Sequence, residues 1–105
     1  MTVKTLEVCN PYDFSKVGEV DLVSSETIDN YLEEASSLFQ DKKQHLPKYK
    51  RIEILKKTAA LMRESNYQLS MTIASEGGKP LIDARVEVSR AIDGVETCAN
   101  DLGNL

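Results

Sequence analysis

Residues 51–78, RIEILKKTAALMRESNYQLSMTIASEGG, decide the fold. Ile52, Leu55, Ala59, Met62, Asn66, Leu69 and Ile73 recur at alternating steps of three and four, which places them on one face of an α-helix. Only Asn66 interrupts the apolar set, and Ile54, Leu61 and Tyr67 widen the stripe at its flanks. The pattern predicts one helix over residues 48–76. Gly77-Gly78 ends it, because glycine reaches the left-handed conformation of a C-cap without steric cost.

On the C-terminal side, Pro80 restarts the chain as a helix predicted over residues 80–102. Ala84, Val88, Ala91, Ile92, Val95, Cys98, Ala99 and Leu102 keep helical spacing along it. Before residue 48, Ser24-Ser25-Glu26 is a helix start, with a serine oxygen able to accept a first-turn N–H. Ile28, Leu32, Ala35, Leu38 and Phe39 make an apolar stripe on a helix over residues 25–41, which the polar run Gln40 to Gln44 closes. Pro47 then opens the central helix. Nearest the N-terminus, Thr5–Cys9 and Val17–Leu22 alternate polar and apolar residues around the turn Asn10-Pro11-Tyr12-Asp13. Residues 1–23 are therefore a β-hairpin and residues 24–105 a helical segment of three helices. The fold class is mainly α. A two-stranded ribbon is marginal alone in water, so this one needs a surface to lie on.

Composition agrees with one globular domain or less. The chain has 105 residues, 41% hydrophobic and 29% charged, with five Gly and three Pro. No apolar run approaches the ~20 residues needed to span a bilayer, so no membrane partner is expected. Met1 to Asn10 lacks the apolar core of a secretory signal. Thirteen Lys+Arg against seventeen Asp+Glu give a net charge of −4, which argues against a nucleic-acid partner. Two cysteines are too few for a disulfide framework and fit a reducing cytoplasm, the expected location.

The residues show no catalytic constellation. His45 is a lone histidine in a polar loop, with no second ligand at metal spacing. Cys9 beside a turn and Cys98 on an apolar stripe read as structural cysteines. Lys42, Lys43, Lys48, Lys50, Arg51, Lys56 and Lys57 are interleaved with Asp41, Glu53 and Glu64 and read as a solvated face. Gly77-Gly78-Lys79 lacks the spacing, the following Ser or Thr and the preceding strand of a phosphate loop. Glu33-Glu34 and Glu87/Asp93 fall on polar helix faces.

The order of segments nevertheless resembles the aldehyde dehydrogenase superfamily. Asn10-Pro11-Tyr12-Asp13 followed by Val17-Gly18-Glu19-Val20 is similar to that family's opening turn and strand. Ser25-Glu26, the Ala35…Phe39 helix, Pro47…Arg51-Ile52…Leu55, Glu76-x-Gly78-Lys79-Pro80 and Ala84…Glu87-Val88 follow in the family's order. One departure is Lys42, where the family often has Trp. The resemblance implies an N-terminal fragment of the α/β aldehyde dehydrogenase fold, belonging to the cofactor-binding domain. It implies a parent enzyme that oxidises an aldehyde to a carboxylic acid: a thiolate attacks the aldehyde, hydride passes to NAD or NADP, and the thioester is hydrolysed. The nucleophilic cysteine, the general base and the cofactor grip of that family lie beyond position 105, so the chain alone is expected to be inactive and to hold no cofactor.

One site is implied by the same resemblance. Some family members bind a monovalent cation with an acid at the position of Glu76 and backbone near the Asn10-Pro11 turn, where Val8 and Cys9 offer carbonyls. The plainer reading is that Glu76 ends a helix. The expected partners are the remainder of the parent enzyme or, for the chain alone, a second copy. The competing reading is a small natural helical interaction module without catalytic activity.

Overall fold

The computed structural model describes residues 4–105. Met1–Val3, which the readings of the hairpin and of the leader region include, lie outside the described residues. The chain runs as β1 (Thr5–Cys9), β2 (Lys16–Asp21), α1 (Ser25–Gln40), a 3-10 turn (Lys42–Gln44), α2 (Lys48–Glu64), α3 (Asn66–Gly77) and α4 (Leu81–Asn104). The hairpin and mainly helical class are as expected from sequence.

β1 and β2 pair antiparallel, with Leu6 opposite Val20 and Val8 opposite Gly18. A bulge between Val8 and Cys9 leaves Cys9 opposite Lys16. The connecting turn is stitched by its own side chains. The Asn10 side chain accepts from the Tyr12 amide at 2.9 Å, and Asp13 accepts from the Ser15 amide at 3.0 Å and from the Ser15 hydroxyl at 2.6 Å. Phe14 takes φ 59°, unusual for a bulky residue, and its ring is exposed.

The predicted central helix is two helices. The break falls at Ser65, with φ −93° and ψ 9°. Serine and asparagine side chains compete for backbone partners, so Ser65-Asn66 is a weak point in a helix. Packing supplies the other half of the reason. α4 has 24 residues, a rod of roughly 36 Å. α2 and α3 lie one after the other along it, and the bend lets one interrupted stripe follow α4. Asn66 is accommodated at the bend: Ser70, fully buried, donates from its hydroxyl to the Asn66 carbonyl at 2.8 Å.

The core sits on this seam. Ala59, Val88 and Ile92 are buried together, with Met62, Leu69, Ile73 and Val95 packed around them. Ala84, Ala99 and Ser70 are also buried, and small residues let the helix axes approach closely. The Arg63 guanidinium meets the Glu96 carboxylate at 2.5 Å across α2 and α4, which raises the arginine's pKa. Cys98 and Ala91 correct the predicted stripe: both are exposed, because α2 and α3 cover a narrower band of α4 than its apolar periodicity offers.

Away from the seam little is covered. α1 has no buried residue: Ile28, Leu32, Leu38 and Phe39 of its stripe stand exposed, as does Tyr31 beside them. The Cα radius of gyration is 18.0 Å, against about 13 Å for a compact domain of this length. The accessible surface is 8575 Å², whereas a compact monomer of 11.7 kDa exposes about 5,900 Å². The molecule is a slab with principal extents of 50 × 39 × 16 Å.

Candidate functional site

Three elements converge where β1 meets the end of α3. Glu76 stands exposed in the last turn of α3, followed by Gly77 and by Gly78, whose φ of 65° makes the left-handed cap. The hairpin turn closes on that cap: a Cβ built on Gly78 would lie 2.7 Å from Pro11 Cγ. Pro11 thus occupies the space that any other residue at 78 would need. Val8, Cys9 and Asn10, leading into the turn, are half-buried, while the rest of the hairpin is largely exposed.

The structure therefore brings together the end of α3, which carries Glu76, and the Asn10-Pro11 turn. The oxygen donors named for this place are the Glu76 carboxylate at the end of α3 and the main-chain carbonyls of Val8 and Cys9 leading into the turn. An all-oxygen set beside the negative end of a helix dipole suits a hard cation rather than a transition metal. No group of three or more His, Cys, Asp or Glu gathers among the described residues. Lys79, just past the Gly78 cap, pairs with Glu87 of α4.

Cys9 borders the junction without the character of a nucleophile. Its Sγ donates to the Glu7 carboxylate at 3.3 Å, and that bond, with partial desolvation and the same negative charge, raises the thiol pKa. A raised pKa leaves less thiolate. Lys16, bonded to Glu19 at 2.6 Å and near Glu7 at 3.6 Å, has its own pKa raised by those carboxylates.

A second feature escaped the sequence. His45 bonds through Nε2 to the Phe39 carbonyl at 2.8 Å, with the two rings 6.0 Å apart. It caps the end of α1, while Asp41 accepts from the Lys43 amide at 3.1 Å. Together they fix the corner between α1 and α2. An open cavity of about 460 Å³ lies in that corner, lined by Leu38, Phe39, Gln44, His45, Leu46 and Arg51. The only sequence signal for this cap was a histidine a few residues past a helix end.

The family model for aldehyde dehydrogenases matches residues 1–105. The chain belongs to the aldehyde dehydrogenase family. Sulfoacetaldehyde dehydrogenase of Neptuniibacter caesariensis is 31% identical over 99 residues, covering 92% of this chain and 21% of that protein. Among solved structures, glyceraldehyde-3-phosphate dehydrogenase of Methanocaldococcus jannaschii, complexed with NADP, superposes with a TM-score of 0.81 at 30% identity. That match covers 90% of this chain and 20% of the other. Aldehyde dehydrogenase 21 of Physcomitrella patens, in complex with the reaction product succinate, gives 0.86 at 28% identity over 94% of this chain and 20% of the other. The chain spans about a fifth of the length of these relatives. It is an aldehyde dehydrogenase fragment, folded as the corresponding part of the longer enzymes. Among the described residues the one sheet is the two-stranded hairpin, so the strand–glycine–helix turn that grips a dinucleotide is not formed by them.

Proposed function

We propose that this chain is the outer helical layer of the cofactor-binding domain of an enzyme that oxidises an aldehyde to a carboxylic acid with NAD or NADP. When bound, that cofactor accepts the hydride. The part of this chain is mechanical. Its α2–α3–α4 seam is a closed small core, and its remaining apolar faces are shaped for the body that holds cofactor and nucleophile. The observation that carries this reading is the surface left uncovered, roughly 2,700 Å² more total exposed area than a compact monomer of this mass and including Ile28, Leu32 and Phe39 of α1, on a backbone that superposes on aldehyde dehydrogenases. On this reading the chain alone does not turn over and works in the cytoplasm.

Glu76 is proposed to hold a monovalent cation with carbonyls near Val8 and Cys9, tying the hairpin turn to the end of α3. The all-oxygen donor set supports a hard ion there.

The test joins two measurements. The chain is incubated with NAD+ or NADP+ and a panel of small aldehydes, and nicotinamide reduction is followed; none is expected. It is then co-expressed with the Methanocaldococcus jannaschii dehydrogenase lacking its matching segment. Co-purification with recovered aldehyde oxidation is the expected outcome. Turnover by the chain alone, or no association with the body, overturns the reading.

A further inference from the structure

We draw no further inference here: the strongest candidate, the open corner cavity between α1 and α2 lined by Leu38, Phe39, Gln44, His45, Leu46 and Arg51, belongs to the surface already proposed to meet the rest of the enzyme, and nothing in the structure shows what covers it.

Discussion

Pro11 fills the position that a side chain on Gly78 would occupy, and so the hairpin turn and the end of α3 interlock at a single glycine. Two separate demands meet there. The backbone has φ 65°, which costs an L-residue roughly 1–2 kcal/mol, and the missing Cβ makes room for the proline ring. Gly78→Ala is expected to destabilise the chain by about 2 kcal/mol or more, measured by urea unfolding. Pro11→Ala should recover part of that loss in the double variant, because only the steric half is relieved.

Ile92 is 4% exposed and packs with Ala59 and Val88 at the centre of the seam. Truncation to Ala removes buried methylenes and leaves a cavity, a loss of about 2–4 kcal/mol. For a core this small that is a large share of the total stability. Thermal melting followed by circular dichroism should show it unfolded or strongly lowered. Ile82→Ala, on the same helix but 74% exposed, should leave the melting temperature nearly unchanged.

Ser24 accepts from the Thr27 amide at 3.2 Å and is the N-cap of a helix that has no buried residue. A 16-residue helix is marginal in water without tertiary support. Ser24→Ala should weaken α1 by about 1 kcal/mol, and the loss should remain local. Hydrogen exchange at the amides of α1 is expected to be faster than in α4 and to accelerate further in the variant. Unchanged exchange in α1 would contradict this.

Asp13 accepts two hydrogen bonds from Ser15, first from its hydroxyl and then from its amide, and these hold its carboxyl below the ordinary aspartate pKa. Because the native value is depressed, the carboxylate's contribution to the turn is present above the unfolded value of about 3.9. It is lost as pH falls through the lower native value. Ser15→Ala should move the Asp13 titration upward, read from its carboxyl carbon by NMR.

Elements bound by local rules were legible in the sequence. Alternation at Leu6/Val8 and Val20/Leu22 located the hairpin, and Ser24 and Gly78 marked helix ends that the structure keeps. Where packing decides, the sequence was silent. The break at Ser65 depends on α4 being there to bend around, and Asn66 looked like a flaw in a stripe until Ser70 was seen beneath it. The exposure of Cys98 depends on how much of α4 its neighbours reach. The approach of Pro11 to Gly78 joins positions far apart in the chain, and only resemblance to a family suggested it. The His45 cap formed because a 3-10 turn swings the imidazole back to Phe39, a local geometry with no periodic signature.

The slab is 16 Å through its thinnest direction, little more than the width of one helix with its side chains. No side chain is therefore more than one layer from a surface. A saturation mutagenesis of this polypeptide scored by its own folding would find Ile28, Leu32 and Phe39 permissive and Ile92 forbidding. The same library scored by aldehyde oxidation, with a complementary body supplied, would turn those three positions restrictive. The set of positions that switch between the two screens would outline the footprint of whatever covers them, without a single complex being crystallised.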